Sequence, residues 1–457
     1  MANVTIYNAA YEGLNLQVAG ANTSTQYIRL FSSVVQSYKY SINGGSYNTI
    51  TGLSSMVDIP FTSGFAEEFL NIEIIPINGG LLSNIYQFYT NGNVIVITTL
   101  IELNKMINLT SLIFYSTKSV ITGNISDLSS SISTLIIPNT LDGPISDLNN
   151  SLQQLQLLNS VSNNKYKTAS FSDLPTGLKV LNCGVELGVI NFTGTSADWP
   201  SGLETIQGIY GNAFTINTNT IPSGMINISF SNTGTPNLTL IGDIADIPSS
   251  VRIFRIDNLL SGTLSGNIAN LPSGMINFVI FALDSNTITG DVANLPSGMT
   301  FFNLNGNNTI SGNVSDLPSN LAIITLRGNN TLTGLIQNYS APINVVIIEG
   351  NNTISGDLGL IPVKINYLFI GGNNTISDFT YPSLNGFNNS LSMSLRITGS
   401  NTLSSAEVDN ILIELAATLT VSTTLTIILQ GGAGARTSTS DSAYAYLISK
   451  GYNINLN

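Results

Sequence analysis

The sequence predicts a mainly β protein with a small N-terminal β-sandwich, a parallel β solenoid and a helix–strand C-terminal cap. Three observations predict this fold class. Short alternating apolar runs fill the first 92 residues, the phrase GNNTISGNVSDLPSNLAIITLR then recurs with small changes, and helical spacing returns after residue 402. A recurrence every 20–29 residues or so is typical of solenoids. The predicted domains are therefore 1–92, 93–402 and 403–457.

The N-terminal segment lacks the repeat and consists of strand-length runs. These runs are NVTIYNA, LNLQVAG, YKYSING and LNIEIIPING, with glycine pairs at Gly44–Gly45 and Gly79–Gly80. Short alternating runs bounded by glycine turns are typical of antiparallel strands. We therefore predict a β-sandwich over residues 1–92. Because its sequence is unique within the chain, we interpret it as an attachment domain.

The repeat is marked by Leu-Pro or an equivalent pair. Its slots are Leu174–Pro175, Trp199–Pro200, Ile221–Pro222, Ile247–Pro248, Leu271–Pro272, Leu295–Pro296, Leu317–Pro318 and Ile361–Pro362, with Ser129, Asn149 and Ser340 at equivalent points. The slots are 20 to 26 residues apart, which gives about eleven copies. One copy cannot bury its own apolar stripe, so the copies must stack.

Within one copy, the spacing of apolar residues predicts a single strand. Ile324 and Leu326 lie two apart, which places both on the buried side and turns Thr325 outward. The strand ends where Gly328 and the two asparagines after it tolerate left-handed backbone. Pro318 starts the return segment, where its missing N–H is harmless.

At this point the repeat resembles the leucine-rich repeat. LPSNLAIITLRGNNTLTG is similar to the pattern L-x-x-L-x-L-x-x-N-x-L, and ISGNVSDLP is similar to a segment of the 24-residue variety. The resemblance covers roughly residues 94–402. One extra residue separates the strand from the next leucine, so either Asn329 or Asn330 could form the buried asparagine ladder that the family implies.

The C-terminal segment has the periodicity of helices. LSSAEVDNILIELAATL predicts a helix that begins with a capping box between Ser404 and Glu407. TLTIILQ predicts a strand, SAYAYLISKG a second helix closed by Gly451, and YNINL a last strand. This unit resembles the helix–strand C-termini of leucine-rich-repeat proteins of phages and bacteria, and we expect it to cover the end of the solenoid.

The residue types argue against catalysis, metal binding and cofactors. The chain has no histidine, which removes the common nucleophile systems and the commonest zinc ligand. We interpret Cys183, the only cysteine, as a small structural residue. Several aspartates occupy the same position of successive repeats, directly before Leu-Pro or its equivalent: Asp127, Asp147, Asp173, Asp246 and Asp316. Such repetition indicates turn capping rather than a carboxylate pair of a glycosidase or a calcium loop.

The predicted concave strand face holds the candidate binding residues. Shifting by one repeat gives three outward columns: Asn277, Phe301, Ile323, Val345 and Tyr367; Val279, Asn303, Thr325, Ile347 and Phe369; Phe281, Asn305, Arg327, Glu349 and Gly371. The selected candidates are Phe281, Phe301, Arg327, Glu349, Tyr367 and Phe369. Exposed apolar residues on a sheet favour a covering partner. A ligand, a neighbouring subunit and a flanking segment remain alternatives.

Charge and composition narrow the partners. Only 9% of the residues are charged and the net charge is −12, which disfavours nucleic acid and anionic membranes. The start, MANVTIYNAAYEGLN, lacks the features of an export signal, and no apolar stretch predicts a membrane-spanning helix. We therefore expect a protein made and folded in a cytoplasm.

In architecture and composition the chain resembles leucine-rich-repeat proteins of phage virions. That resemblance implies a tail-fibre, receptor-binding or capsid-decoration protein, assembled in the host bacterial cytoplasm and exposed on the virion surface. It further implies contacts with other virion proteins through the N-terminal domain, with a host protein or glycan through the repeats, and a homo-oligomer as a further candidate assembly. A bacterial surface adhesin and a glycan-cleaving tailspike are the alternatives.

Overall fold

A computed structural model gives the architecture of the chain. It describes residues 14–20, 26–51, 56–62, 70–77, 82, 85–90, 94–158, 167–182, 190–208, 213–231, 237–257, 261–281, 285–338, 343–357, 360, 367–372, 375–378, 394–399, 401–418 and 426–457. The predicted strand at 3–9, the Gly79–Gly80 turn and Cys183 lie outside these residues. The chain forms two compact units, residues 1–214 with 230–236, and residues 215–229 with 237–457.

The N-terminal part of the first unit is a β-sandwich. Its elements are β1 (Leu14–Gly20), β2 (Gln26–Ser32), β3 (Ser37–Ile42), β4 (Asn48–Ile50), β5 (Met56–Phe61), β6 (Leu70–Ile77), β7 (Ile85–Thr90), β8 (Val94–Thr99) and the short helix α1 (Leu100–Leu103). One sheet has the antiparallel order β8–β1–β6–β3–β4, and the other has the antiparallel order β5–β2–β7. These sheets confirm the predicted sandwich.

The sandwich sheets continue into the first repeats. The repeat strands that follow are β9 (Ser111–Phe114), β10 (Val120–Thr122), β11 (Thr134–Pro138), β12 (Gln154–Leu158), β13 (Lys167–Ser170), β14 (Val180–Asn182), β15 (Ile190–Thr195), β16 (Thr205–Gln207), β17 (Ala213–Asn217) and β18 (Asn227–Ser231). Strand β9 pairs in parallel with β7, and β10 pairs in parallel with β8. The boundary at residue 92 stays a prediction, but β8 lies beyond it and belongs to the sandwich sheet.

The second unit contains the later repeats. Its strands are β19 (Asn237–Asp243), β20 (Ile253–Asp257), β21 (Ser261–Asn267), β22 (Asn277–Ile280), β23 (Thr287–Asp291), β24 (Phe301–Asn313), β25 (Ile323–Leu335), β26 (Val345–Gly350), β27 (Thr353–Asp357), β28 (Tyr367–Ile370), β29 (Thr375–Asp378) and β30 (Ser394–Ile397). A long parallel sheet runs from β20 through β22, β24, β25, β26 and β28 to β30. This sheet confirms the predicted parallel β solenoid, which is leucine-rich-repeat-like.

The prediction of one strand per copy is wrong. A second parallel sheet joins β19, β21, β23, β24, β25, β27 and β29. Strands β24 and β25 belong to both sheets, since each bends from one into the other. The second sheet forms because the segment after each asparagine pair, such as TISG, also extends and stacks on its copy in the next coil.

Apolar side chains from the two sheets form the core of the second unit. Ile324, Leu326 and Leu332 are fully buried, and Ile310 closes the far side. The predicted inward pairs of the neighbouring coils, Val346 with Ile348 and Leu368 with Ile370, are also fully buried. Further along the sheet, rings of Phe254, Phe278 and Phe302 occupy one register position, with successive centroids 5.9 and 6.3 Å apart.

A one-turn 3₁₀ helix precedes each Leu-Pro slot that the structure describes between residues 170 and 318. A polar residue before the turn accepts a hydrogen bond from the N–H two residues later, and its position is filled by Ser170, Thr195, Asn217, Asp243, Asn267, Asp291 and Asn313. After the slot, the proline carbonyl accepts the N–H three residues on, as from Leu321 to Pro318 at 3.0 Å. The recurring phrase LPSG therefore forms the return turn of each coil.

The C-terminal cap matches its prediction. It contains α2 (Ser405–Thr418), β31 (Thr426–Leu429), α3 (Asp441–Ser449) and β32 (Asn453–Leu456). Ser404 and Glu407 exchange backbone-to-side-chain hydrogen bonds as a capping box. Strands β31 and β32 extend the long sheet beyond β30. Within the described residues, the helices are too short or too polar to cross a bilayer.

Candidate ligand-binding face

The outward side of the long sheet in the second unit carries the predicted binding residues, and we call it the long-sheet face. Strand pairing places Phe301 beside Ile323, Ile323 beside Val345, and Val345 beside Tyr367, as the repeat alignment predicts. The strand alternation also turns Phe281 and Arg327 to this side. The first two predicted columns therefore exist in this register, whereas the third lies where the strand pairing shifts.

A groove of about 370 Å³ lies on this face. It is lined by Arg255, Asp257, Val279, Phe281, Phe301, Asn303 and Ile323, and we call it the face groove. Its residues come from β20, β22, β24 and β25 and from the position that follows β22, so neighbouring coils build it together. Its volume lies at the lower end of the range of about 300–1,000 Å³ typical of small-molecule sites.

The polar rim of the face groove is an ion pair. The Arg255 guanidinium donates to the Asp257 carboxylate at 2.8 Å, and both residues lie on the same side of β20. The Arg255 side chain is 48% exposed and the Asp257 side chain 18%. The groove therefore presents paired charges at one end and apolar walls along its length.

Two predicted candidates, Phe281 and Phe301, line the face groove and are half-buried there. Two others pair with each other, since Arg327 Nε lies 3.4 Å from a Glu349 carboxylate oxygen. The assignment of all four side chains as binding residues stays a prediction.

Phe369 and Tyr367 lie nearer the cap. Phe369 is only 6% exposed because the guanidinium of Arg396, from the next strand, covers its ring at 4.3 Å from the centroid. Tyr367 is half-buried. The expectation of an exposed Phe369 ring is therefore wrong.

Sequence reasoning missed Arg255, Asp257 and Arg396 because its columns began at Asn277 and ended at Gly371. The signal was present in the sequence. Aligning IFRID with NFVIF places Arg255 in the column of Val279, and aligning SLRIT with YLFIG places Arg396 after Phe369.

A second surface lies on the first unit, on the outward side of β5, β2, β7 and the position after β9. Its aromatic and thioether side chains are Tyr27, Phe31, Met56, Tyr86, Tyr89 and Tyr115, and we call it the N-terminal aromatic face. Tyr27 is 46% exposed and Tyr115 is 40% exposed. In its centre Arg29 donates twice to Asp58, at 2.6 and 2.8 Å. That hydrogen-bonded pairing raises the pKa of Arg29.

The repeated aspartates act as turn caps where the structure gives their contacts. The Asp173 carboxylate accepts the Ser170 N–H at 2.7 Å, and the Asp198 carboxylate accepts the Thr195 N–H at 2.8 Å. Asp127 makes the same contact with Asn124. Across the described ranges, histidine, cysteine and acidic side chains do not gather in groups of three that could hold a metal ion.

Comparison with known proteins gives partial alignments with two solved structures and no match among sequences. The sequence matches no family model and no curated protein. A plant peptide hormone receptor, RGFR1 in complex with RGF2, aligns with TM-score 0.45 and 16% identity over 82% of this chain and 72% of that one. The Arabidopsis receptor kinase HAESA, in complex with the peptide hormone IDA and the co-receptor SERK1, aligns with TM-score 0.42 and 18% identity over 72% of this chain and 60% of that one.

Proposed function

We propose that this protein is a non-catalytic recognition protein that binds a ligand on a cell surface through the face groove. The observation that carries the proposal is the groove itself. Phe281 and Phe301 present half-buried rings beside the Arg255–Asp257 pair, on a rigid sheet. Binding sites are typically concave and mostly apolar, with a few fixed polar groups that orient the ligand.

The placement of the carboxylates supports a role without catalysis. Glycoside hydrolysis needs two carboxyl groups facing one another about 5–9.5 Å apart across a bound sugar. Asp173 and Asp198 instead accept backbone N–H groups of their own turns, and Asp257 is paired with Arg255. These carboxylates hold the coils and the groove rim in place.

The more specific proposal is a protein of a phage virion surface that attaches the particle to its host. The uncharged polar composition and the non-repeated N-terminal domain support it. The N-terminal aromatic face supports a docking role for that domain, because tyrosine, methionine and arginine are enriched at protein interfaces. In this proposal the N-terminal domain contacts other virion proteins, and the repeats contact the host.

The first test concerns the face groove. Labelled full-length protein is applied to a panel of bacterial cells, and the double variant Phe281→Ala/Phe301→Ala is compared with it. We expect at least tenfold weaker binding by the double variant. Ile107→Ala, an exposed change on the first unit, serves as the control and keeps full binding. Equal binding by the double variant and the parent chain would contradict the groove assignment.

The second test concerns the virion. The full chain is added to phage particles that lack the protein. A Tyr27→Ser/Tyr115→Ser variant, checked to have the same melting temperature as the full chain, is added in parallel, as is the Phe281→Ala/Phe301→Ala variant. We expect the parent chain and the Phe281→Ala/Phe301→Ala variant to bind the particles, and the tyrosine variant not to bind them. If none of them docks while cell binding persists, the bacterial adhesin is the better reading. Release of oligosaccharide from the cells would instead favour a tailspike.

A further inference from the structure

Two hydrogen-bond acceptors on β24 lack a donor within the part of the chain that the structure describes. The side-chain oxygens of Asn303 and Asn305 are buried and without a hydrogen-bond partner among the described residues. Both side chains turn to the long-sheet face, and Asn303 lines the face groove. A buried acceptor without a donor is costly, and nearly all such groups in folded proteins are satisfied. A ligand that brings a hydrogen-bond donor into the face groove would satisfy the Asn303 oxygen.

The charges around these acceptors are already balanced. Arg255 is paired with Asp257, and Arg327 forms an ion pair with Glu349 in which the Arg327 Nε makes no hydrogen bond to the described residues. A charged ligand would have to break one of these pairs, and the charge left behind would be uncompensated. The surroundings therefore favour an uncharged ligand that offers hydrogen-bond donors.

The remaining walls are apolar. Phe281, Phe301 and Ile323 line the groove on both sides of Asn303, and the rings are accessible enough to receive a flat apolar surface. Aromatic rings contribute most when their faces or edges are covered. The ligand must therefore combine an apolar face with O–H or N–H groups on its edge.

We propose that the face groove binds a neutral saccharide. A pyranose ring has an apolar C–H face for Phe301 and Phe281, and an equatorial hydroxyl that can donate to the side-chain oxygen of Asn303. The volume of about 370 Å³ suits a short oligosaccharide segment. This inference rests on the proposed function, since it names the ligand class of the same groove.

An extended peptide fits the groove less well. Its backbone alternates N–H donors with carbonyl acceptors, and each carbonyl would need a donor of its own. Arg255, the cationic donor of the lining, already directs two of its nitrogens at Asp257, which leaves fewer N–H groups for such carbonyls. A hydroxyl avoids this mismatch because it rotates to donate or to accept.

The test uses a printed array of neutral oligosaccharides, acidic oligosaccharides and unrelated decapeptides, probed with the full-length chain. The tightest neutral binder is then titrated by calorimetry against the parent chain and Asn303→Leu, Phe301→Ala and Arg255→Ala. Asn303→Leu removes the acceptor at similar volume, so it should keep or raise the melting temperature of the unliganded protein. We expect it to weaken saccharide binding at least tenfold.

The control is Asn329→Ala, which is exposed and off the groove, and it should bind like the parent chain. Failure of every neutral saccharide, or binding that Asn303→Leu and Phe301→Ala leave unchanged, overturns the proposal. Capture of a peptide or an acidic saccharide that these variants abolish also overturns it, but leaves the proposed function standing. The proposed function itself fails separately, if Phe281→Ala/Phe301→Ala does not alter binding to cells.

Discussion

At the scale of single residues, an asparagine ladder ties the coils of the second unit together. The Asn330 side-chain oxygen accepts the Ile310 N–H of one coil at 3.1 Å, and its amide donates to the Glu349 carbonyl of the next at 3.1 Å. Asn352 makes the equivalent contacts one coil later. In the first unit, the Thr140 hydroxyl accepts the Ile121 N–H and donates to the Ile121 carbonyl, so it bonds one neighbouring coil only.

We predict that Asn330→Ala lowers the free energy of unfolding by about 1–3 kcal/mol, because it leaves a buried N–H and a carbonyl without partners. The matched change Asn329→Ala should be nearly neutral, since that side chain is exposed. Urea unfolding of both variants measures the difference. Equal losses would show that the two asparagines share the ladder.

The inside–outside register of β25 gives a second prediction. Leu326→Asp puts a charge into the stacked core and should cost more than about 4 kcal/mol. The sequence turns Thr325 outward, which would make it a neutral site for a charge, but Thr325 is only 4% exposed between Asn303 and Ile347 of the adjacent strands. Thr331, exposed on the same strand, is the proper control, and Thr331→Asp should shift the melting temperature little. A Thr331→Asp loss as large as that of Leu326→Asp would contradict the register.

At the scale of elements, glycines set how closely coils stack in the second sheet. Gly312 has φ +116°, and a Cβ there would lie 2.4 Å from the Asp291 carboxylate oxygen of the preceding coil. We predict that Gly312→Ala costs at least the strain of about 1–3 kcal/mol for such backbone. Gly298→Ala, in open space at a return turn, should be neutral or stabilise by up to about 1 kcal/mol. Thermal unfolding of both variants decides, and a neutral Gly312→Ala would show that the coils can separate.

The two cap helices are joined through a buried carboxylate. Asp409 on α2 is 2% exposed and accepts the Thr437 N–H at 2.9 Å, as well as the hydroxyls of Thr437 and Ser440. Burial alone would raise the pKa of Asp409, but hydrogen bonds from Ser440 and Thr437 and the nearby charge of Arg436 together lower it below 3.8. The ionised form is therefore the one that stabilises the cap.

We predict that Asp409→Asn lowers the melting temperature at neutral pH. Because the folded-state pKa is lowered, the stabilisation is fully present above the unfolded pKa and is lost as the pH falls through the folded pKa. The gap between parent and variant should therefore be widest at neutral pH and close below about pH 4. Melting curves across this range provide the test, and a gap that does not change with pH would exclude the carboxylate's charge as the cause.

At the scale of the whole molecule, the N-terminal sandwich and the first repeats share their sheets. Phe88 of β7 packs edge-on against Phe114 of β9 with ring centroids 5.1 Å apart, and both rings are fully buried. We predict that a fragment of residues 1–92 shows no cooperative thermal transition, because it lacks β8 and exposes Phe88. Circular dichroism of the fragment and the full chain measures this. A cooperative transition in the fragment would show that the sandwich is autonomous.

The sequence by itself determined the repeat, its period and the identity of most buried positions. These features depend on local spacing. Ile324 and Leu326 face the core because the side chains of a strand alternate between its two sides. Helix α2 begins after Ser404 because the side chains of Ser404 and Glu407 accept each other's backbone N–H groups. The columns of outward residues on the long-sheet face, which include Phe281 and Phe301, follow from the same alternation.

Only the tertiary structure decided the features that depend on neighbouring coils. Stacking selected Asn330 over Asn329, since only one of them reaches the backbone of the coils on both sides. It also made the second sheet, joined the N-terminal sandwich to the solenoid, covered Thr325 and Phe369, and made a groove out of the columns that contain Arg255 and Phe301. Each of these outcomes depends on the distance between residues about 20 or more positions apart, which the pattern within one copy does not contain.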